Sequence, residues 1–514
     1  MTRDSNTRKP RNRSRRPRGA ALKQPPFRAV HNPLKPLEIA SEDQIEALHH
    51  ASLDVLRDVG MKITDHRALD LLRRAGADVD RDSEIVRFDP ALIEEMLIDV
   101  PREFTVHARN PEKTLTIGGN SIVFASVCGP PFVSDLDRGR RDGTYEDCCN
   151  TVRLVHSLNI YHHDGGAGVE PMDLPAASRH LDMMYAQISL TDKGWQPTWL
   201  NSRKRARDCI EMAKIAMQCT DEELTQRPAF CTGINTNSPM LLDGAMADGL
   251  IEMALAGQPV NVTPFTLAGA MAPATLAGAL VQQNAEALAG FMVAQAARKG
   301  CPVFYGHFTS NVDMRTGSPA FGTPEYSRSV AISAQLARRY GVPIRSSNAT
   351  ASPTMDAQAA YESSMSVWSC VLSHINVMLH AGGWLEGGLV CSFEKFILDA
   401  EILQMLTAFI EPFDAGVDEL GLDAIREVGP GGHFFGARHT LERYEDAFYA
   451  PLLSDWRNFE TWRDDGSKTA TERANGIWKQ LLRDYEQPVL DPAVDEELKA
   501  YISRRKEEIT RTGE

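Results

Sequence analysis

Residues able to bind a small polar molecule follow a short apolar run near residue 380. The run Ile375–Leu379 precedes a loop with four glycines that also carries His380, Trp384 and Glu386. A base, an aromatic face and a carboxylate beside backbone that can approach a ligand closely are typical of a binding loop. Parallel α/β proteins carry their chemistry at such strand ends. The stretch therefore predicts a buried strand that ends at a ligand site.

The positions after the other apolar runs carry mainly amides, histidines and aromatic rings. No lysine stands at a strand end to form a Schiff base, and no pair of acids is suited to glycoside hydrolysis. Because aromatic faces attract cations, the set predicts a pocket for a small, polar, cationic molecule. The candidate substrate-binding residues are His163, Asn235, Phe265, Tyr305, His307, Asn348, Trp384 and Glu386.

Strand and helix signals alternate through the middle of the chain. Helical patterns fill most gaps between short apolar or β-branched runs, which favours a parallel sheet with right-handed crossovers. Eight such units over residues 121–411 favour a (β/α)8 TIM barrel. An open doubly wound sheet is the alternative, but no G-x-G-x-x-G follows the first run. The eight runs are Ser121–Cys128, Asn159–His163, Gln196–Leu200, Ala229–Ile234, Pro259–Phe265, Pro302–Phe308, Val342–Arg345 and Ile375–Leu379.

The regions on either side of the predicted barrel differ from it in composition. Residues 1–37 are rich in proline and arginine and predict a disordered basic tail. Residues 38–120 predict an N-terminal helical cap, whose first helix begins after Ser41. Residues 412–514 predict a C-terminal helical extension that wraps the barrel or mediates contacts in a homo-oligomer.

Charge and cysteine usage narrow the classes of partner. The formal charge is −14, although the first 28 residues hold ten Lys and Arg and one acidic residue. An acidic body argues against nucleic acid as the main partner. Nine cysteines without a C-x-x-C pair favour a reducing, cytoplasmic location. The apolar run 265–281 is interrupted by Pro273 and predicts a strand, a turn and a buried helix, so no membrane span is expected.

Metal binding has only weak signals. His162 and His163 are adjacent, so at most one of them faces a site on a strand. His433 and His439 lie six apart in a glycine-rich loop without a cysteine or carboxylate at fixed spacing. We therefore expect no metal site.

Several stretches together resemble the trimethylamine:corrinoid methyltransferase family, over about residues 40–490. Members of that family are TIM barrels that move a methyl group from a methylamine to the cobalt of a separate corrinoid protein. Some carry pyrrolysine, which the resemblance places around residues 348–350, where this chain has only standard residues. It therefore resembles the non-pyrrolysine branch, which includes glycine betaine:corrinoid methyltransferases. The stretches are MAPATLAGALVQQNAEALAG (271–290), DMRTGSPAFGTPE (313–325), DAQAAYESS (356–364), HAGGWLEGGLVCSFEKFILDAE (380–401) and GPGGHFFGARHT (429–440).

The resemblance implies a methyltransferase whose substrate is a quaternary amine and whose corrinoid (cobalamin) is carried by a partner protein. No D-x-H-x-x-G corrinoid-binding motif occurs in the sequence, so the cobalt must come from that partner. Under this hypothesis Phe265, Tyr305 and Trp384 contact the ammonium and Glu386 supplies a counter-charge. The other four candidate residues then line the site and hold the substrate's carboxylate end.

Two other functions stay open at this point. One is a metal-dependent TIM-barrel lyase or hydrolase that uses His307. The other is a quaternary-amine binding or sensory protein without catalysis.

Overall fold

The N-terminal part of the structure is a mixed layer of helices and short strands. The computed structural model describes residues 22–197 and 200–512 of the chain. As predicted, Ser41 caps the first helix, where its side chain accepts a hydrogen bond from the Gln44 N–H. The elements are β1 (Val30–His31), α1 (Glu42–Asp58), β2 (Met61–Ile63), α2 (His66–Ala75), β3 (Asp78–Asp80), β4 (Ile85–Arg87), α3 (Pro90–Leu97), β5 (Glu103–Val106) and β6 (Leu115–Gly118).

Part of the predicted disordered tail is ordered, which corrects that prediction for residues 22–37. Val30 is buried and pairs with Ile122 in an antiparallel ladder. The buried side chain of Val30 and its backbone hydrogen bonds to the edge of the sheet hold this segment in place despite the charged sequence around it. Residues 1–21 lie outside the described residues.

The central part alternates strands with long helices, as the sequence predicts. Its elements are β7 (Ser121–Phe124), β8 (Phe132–Asp135), β9 (Gly139–Asp142), α4 (Tyr145–Ser157), β10 (His163–Asp164), α5 (Arg179–Leu190), β11 (Gly194–Trp195), α6 (Arg203–Met217), α7 (Asp221–Gln226), β12 (Thr232–Thr236), β13 (Leu241–Leu242), α8 (Gly244–Leu255), β14 (Val260–Pro264), β15 (Leu267–Ala268), α9 (Leu276–Ala297), β16 (Val303–Gly306), β17 (Ser310–Val312), β18 (Pro319–Ala320), α10 (Pro324–Tyr340), β19 (Ile344–Ser347), α11 (Ala357–Leu372), β20 (Val377–Leu379), β21 (Trp384–Leu385), β22 (Val390–Ser392) and α12 (Phe393–Phe409).

The main sheet is parallel apart from its β1 edge. Its order is β1-β7-β20-β19-β16-β14-β12, and β10 pairs in parallel with β11 as a separate sheet. Two isolated parallel bridges, Ala125 with His163 and Trp195 with Phe230, join that pair to residues flanking β7 and β12. Seven of the eight predicted runs thus contain residues with parallel pairing in an α/β fold, and β11 lies just before the remaining run, Gln196–Leu200.

Two predicted strands are displaced from their sequence positions. The runs Asn159–His163 and Gln196–Leu200 give only β10 and β11, and Thr198 and Trp199 lie outside the described residues.

A buried lysine lies between the end of α4 and the start of β10. The ammonium of Lys193, which is 0% exposed, donates to the carbonyl oxygens of Val155, Leu158 and Tyr161 at 2.6, 2.8 and 2.7 Å. Burial lowers the pKa of Lys193 well below its usual range, while the three carbonyl oxygens at and after the C-terminal end of α4 satisfy its hydrogen-bond donors.

Helix packing completes the core. Helix α9 is buried on most of its surface and packs against α1, α2 and α8. It begins after Thr275, which confirms the predicted break in the apolar run 265–281. Within the described ranges, no helix combines the length and apolarity that crossing a membrane requires.

The C-terminal part is helical and returns to the central part. Helix α16 packs against α12 and α4, and α17 packs against α5 and α6. The elements are α13 (Leu422–Val428), α14 (Arg438–Arg443), α15 (Phe459–Asp464), α16 (Ala470–Arg483) and α17 (Pro492–Thr512).

Candidate substrate-binding site

A cavity of about 260 Å³ lies at the carboxyl ends of the parallel strands. Strands β12 and β14 contribute residues to its lining, and the segments after β7, β11, β16 and β20 contribute most of the rest. This is the edge at which the sequence predicts a site. The lining side chains that matter below are Cys128, Gln196, Asn235, Asn261, Thr263, Phe265, Phe308, His380 and Trp384.

One side of the cavity is an aromatic wall, defined here as Phe265, Phe308, His380 and Trp384. The ring centroids of Phe265 and Phe308 are 5.3 Å apart, and Phe308 meets Trp384 edge-on at 5.7 Å. The rings of His380 and Trp384 are 4.1 Å apart. Such a group of π faces can surround a cation.

Hydrogen bonds fix the indole of this wall. Trp384 Nε1–H donates to the carbonyl oxygen of Thr350 at 3.1 Å, and the Thr350 hydroxyl donates to the carbonyl of Trp384 at 2.8 Å. A Cβ on Gly388, whose φ is +99°, would lie 2.5 Å from the indole ring. Only glycine therefore allows the loop to fold over Trp384.

A buried ion pair fixes the backbone just before the indole. Asp399 accepts the Gly383 N–H at 2.9 Å and pairs with Lys395 at 2.5 Å. Both charged side chains are fully buried and lie on α12. The helix capped by Ser392 thus positions the loop that carries Trp384.

The opposite side of the cavity is polar and uncharged. Thr263 donates its hydroxyl proton to Asn261 Oδ1 at 2.8 Å, and Gln196 lies nearby on the same lining. Asn235 is solvent-exposed, so this side opens to water. Amide and hydroxyl groups here can orient a polar ligand without adding net charge.

The titratable groups of the lining are neutral. Burial, with a contribution from the charge of Arg345, holds the pKa of His380 well below its usual range. Burial raises the pKa of Cys128 to about 12, and its sulfur lies 3.5 Å from His380 Nε2. A protonated thiol beside a neutral imidazole is not an activated nucleophile.

Arg345, which the sequence analysis did not select, lies beside the aromatic wall. It is 4% exposed, and its guanidinium carbon lies 5.2 Å from the ring centroid of Phe308. Its Nη1 donates to the carbonyl oxygen of His307 at 3.1 Å, while Nε has no hydrogen-bond partner. The sequence signal was a charged residue within the run Val342–Arg345, which otherwise reads as a buried strand.

Of the predicted site residues, the structure places Phe265, Trp384 and Asn235 on the cavity. Their contact with substrate stays a prediction.

Tyr305 and His307 face away from this cavity, and their role in substrate binding stays a prediction. The Tyr305 hydroxyl donates to Asn284 on α9 at 3.0 Å, and the His307 ring nitrogens contact Ser346 and Ser329 at 2.9 and 2.8 Å. Successive side chains of a strand alternate between its two faces. Positions 305 and 307 therefore share the helix-facing side, whereas Phe308 after the strand lines the cavity.

Glu386 is paired with another side chain of the protein, and its role as a counter-charge stays a prediction. Its carboxylate accepts hydrogen bonds from Arg140 at 2.8 and 3.2 Å, and the Arg140 guanidinium stacks 3.8 Å from the Phe132 ring centroid. Gly387 and Gly388 line the cavity, but the Glu386 side chain does not.

His163 and Asn348 are buried beneath or beside the cavity rather than on it. His163 Nε2 lies 3.7 Å from the Cys231 sulfur, and burial lowers the pKa of His163 to about 4. Asn348 donates weakly to the Ala381 carbonyl at 3.5 Å, and its Oδ1 has no hydrogen-bond partner. Neither residue is on the lining of this cavity, and their contact with substrate stays a prediction.

In the part of the chain that the structure describes, no three His, Cys, Asp or Glu side chains converge as a metal site would require. The Cys128 sulfur and the His380 imidazole of the cavity instead contact each other.

Known proteins resemble this chain along nearly all of its length. The family model described as Trimethylamine methyltransferase (MTTB) matches residues 5–510. A glycine betaine methyltransferase of Desulfitobacterium hafniense (strain Y51) is 39% identical over 472 residues, which cover 92% of this chain and 98% of that protein. A trimethylamine methyltransferase of Desulfitobacterium hafniense (strain DSM 10664 / DCB-2) is 25% identical over 476 residues, or 91% and 94% of the two chains.

Among solved structures, the Methanosarcina barkeri monomethylamine methyltransferase aligns with a TM-score of 0.45 and 12% identity, covering 87% of this chain and 98% of that one. The sequence matches define a class of methyltransferases. The chain belongs to the trimethylamine methyltransferase (MTTB) family.

Proposed function

We propose that the protein transfers a methyl group from a small quaternary amine, glycine betaine or a close analogue, to the Co(I) of a corrinoid carried by a separate protein. The aromatic wall of a cavity of about 260 Å³ is the observation that carries the proposal. Such a wall suits a quaternary ammonium, which cannot donate a hydrogen bond and binds mainly through π faces. The 39% identical relative named for glycine betaine supports the same substrate.

The chemistry agrees with the neutral lining. The C–N bond of the quaternary ammonium breaks, its electron pair stays on nitrogen, and the methyl carbon forms a bond to cobalt, which is oxidised from Co(I) to Co(III). The amine leaves neutral, so no proton moves. A site with a neutral His380 and a protonated Cys128 is sufficient for this step, and positioning and desolvation supply the catalysis.

The corrinoid is a second substrate and must reach the methyl group from outside. The cavity opens where Asn235 is exposed, and Gly233, Gly387 and Gly388 keep side chains away from its edge. We propose that the partner protein docks over this opening. The eight parallel strands would then form a closed (β/α)8 barrel with the opening at its mouth, which the two isolated bridges between β7, β10, β11 and β12 support.

The test is a methyl-transfer assay with purified protein, glycine betaine and a Co(I) corrinoid protein. We expect the absorbance of methyl-Co(III) to rise in step with dimethylglycine. Trimethylamine, choline and carnitine form the comparison panel. Binding of quaternary amines without any transfer would instead indicate a binding or sensory protein, and turnover that requires added zinc or iron would indicate a metal-dependent enzyme.

We also propose that the protein acts in the cytoplasm as a homo-oligomer. The nine cysteines are all free thiols, which supports a reducing compartment. The segment 413–448 carries large apolar side chains that face water, with Phe413 and Phe435 94% and 86% exposed. A second apolar surface on α11 and α12 includes Met365 and Phe409.

A second copy of this chain is the expected occupant of these surfaces. A two-fold interface uses the same patches on both subunits, so one symmetric contact can cover both. Segment 413–448 follows the C-terminal end of α12, whereas the cavity lies at the other end of the parallel strands, so the corrinoid protein would not reach it. Light scattering should show a dimer or larger oligomer that Phe435→Asp dissociates and the control Ile98→Asp, at an isolated exposed position, does not. A monomeric native protein would refute this interface.

A further inference from the structure

We propose that Arg140 is a positioning residue that holds the turn 386–389 against the aromatic wall, where the turn narrows the mouth of the cavity. Its ion pair with Glu386 is the latch, and the turn opens when the corrinoid protein docks. The opening step rests on the proposed function, in which cobalt enters from outside, whereas the latch itself does not.

The turn 386–389 covers the indole that forms part of the aromatic wall. Gly387, Gly388 and Leu389 line the cavity, and a Cβ on Gly388 would lie 2.5 Å from the Trp384 ring. The backbone of the turn thus lies directly on the indole. Leu389 is also 48% exposed, so the turn has the cavity on one side and water on the other.

The cavity has room for the amine but not for the corrin ring. Its volume is about 260 Å³, which suits a molecule of the size of glycine betaine. Cobalt has to come within about 3–3.5 Å of the methyl carbon before their bond forms, and it lies at the centre of a planar macrocycle much wider than the amine. A ring that brings its centre to the methyl group therefore has to displace the turn at the edge of the mouth.

The backbone of the turn is strained and has few hydrogen bonds to the rest of the protein. The φ angles of Glu386, Gly387 and Gly388 are +50°, +60° and +99°, a region that glycine adopts freely but that is unfavourable for glutamate. The Glu386 N–H donates to the Ser352 carbonyl at 2.8 Å. The Gly387 N–H donates to the Thr350 carbonyl at 3.0 Å. Strain of this kind persists only where the surrounding structure holds it, so the side chain of Glu386 needs an anchor.

Arg140 supplies that anchor from β9, the outer strand of the sheet β21-β22-β8-β9. Its guanidinium donates to both carboxylate oxygens of Glu386, at 2.8 and 3.2 Å, and stacks 3.8 Å from the ring centroid of Phe132. The side chains of Arg140 and Glu386 are 44% and 29% exposed, so water can replace their hydrogen bonds when the turn opens. A pair of this exposure is weak enough for a docking protein to break.

Amide hydrogen exchange of the full chain without corrinoid protein tests the latch. Opening of the turn releases the N–H groups of Glu386 and Gly387 from their carbonyl partners, so their exchange rate follows the opening equilibrium. We expect Arg140→Met and Glu386→Gln each to raise exchange at 386–389 about threefold to fivefold, the effect of losing an exposed ion pair. Exchange in α12 should not change. Equal exchange at 386–389 in the native protein and both variants would overturn the proposal.

Methyl-transfer kinetics test the opening. The latch opposes docking, so a weaker latch increases the fraction of chains that are ready for the corrinoid protein. We expect Arg140→Met to lower the KM for the corrinoid protein about threefold to fivefold. The Kd of glycine betaine, measured by calorimetry, should stay within about twofold, because the closed turn still predominates. A residue that only stabilises the fold, or that contacts the partner directly, would not improve KM when it is removed, so an unchanged or higher KM would refute the opening step.

A reversed pair and a distant pair are the controls. The double variant Arg140→Glu/Glu386→Arg restores an ion pair and should return the exchange rate and the KM toward the native values. Arg339→Met is the matched control at the C-terminal end of α10, because Arg339 binds both carboxylate oxygens of Glu46, at 2.6 and 2.9 Å, and lies 5.5 Å from the ring centroid of Tyr340. It should change neither measurement. A double variant that behaves like the single variants would show that charge pairing does not hold the turn.

The two measurements separate the latch from the proposed function. If no amine methylates cobalt but Arg140→Met raises exchange at 386–389, the proposed function fails and the latch stands. If glycine betaine is turned over and Arg140→Met changes neither the exchange nor the KM for the corrinoid protein, the latch fails and the function stands. Glu386→Gln decides in the same way if Arg140→Met does not fold.

Discussion

Replacing Trp384 by leucine tests whether the aromatic wall recognises positive charge. Trp384 is 6% exposed, and its neighbours His380 and Phe308 lie at 4.1 and 5.7 Å between ring centroids. A cation against a desolvated aromatic ring gains about 2 kcal/mol, which corresponds to about 30-fold in Kd. Leucine keeps apolar contact but lacks the quadrupole, so we expect about that loss in the affinity for glycine betaine.

The assay isolates the charge by comparing two ligands of the same shape. In 3,3-dimethylbutanoate a carbon replaces the nitrogen of glycine betaine, which removes the cation and leaves the carboxylate. The native protein should bind glycine betaine more tightly by calorimetry, and Trp384→Leu should reduce that ratio of Kd values by about 30-fold. Trp368→Leu is the control, because Trp368 packs against Phe409 at 4.9 Å away from the cavity. A Trp384→Leu variant that folds and keeps the native ratio would refute cation recognition by this ring.

Two further predictions concern stability. A Cβ on Gly306 would lie 2.1 Å from Thr263 Oγ1, whereas a Cβ on Gly233 meets nothing closer than 3.9 Å. Gly306→Ala should therefore lower the Tm, whereas Gly233→Ala should keep the Tm but weaken betaine binding, because it narrows the cavity. Equal melting temperatures of the two variants would contradict this prediction. Burial lowers the pKa of His163 from 6.5 to about 4. Between these two pH values the unfolded state therefore binds one proton more at this residue than the folded state does. The contribution of His163 should make the free energy of unfolding fall by about 1.4 kcal/mol for each pH unit of decrease in that range. Urea unfolding from pH 7 to pH 4 measures the slope, which His163→Asn should reduce by that amount, and an unchanged slope would show that His163 is not held neutral.

Local sequence signals predicted the helices closely. The pattern Pro324–Arg339 became α10 (Pro324–Tyr340), with Thr323 as its N-cap and proline in the first turn. The hydroxyl of Ser392 accepts the Lys395 N–H at the start of α12, as its position before Glu394 suggested. These signals succeed because the partners of a cap lie within three residues of each other.

The site was predictable in position but only partly in its residues. Phe265 and Trp384 reached the cavity because strand ends in a parallel fold converge at one edge. Tyr305 and His307 point toward the helices, which the sequence could not indicate, since a fully buried strand is apolar on both sides and does not say which face points inward.

The sequence by itself determined the family, the alternation of strands and helices, and the glycine-rich loop that ends at the aromatic wall. Those features depend on residues that are neighbours in the chain. The tertiary structure decided which charged side chains are neutralised. Glu386 is paired with Arg140, 246 positions away, whereas Arg345 has no such partner among the described residues. Which charge is neutralised depends on side chains that meet only after strands distant in sequence come together, and that decides what the cavity can bind.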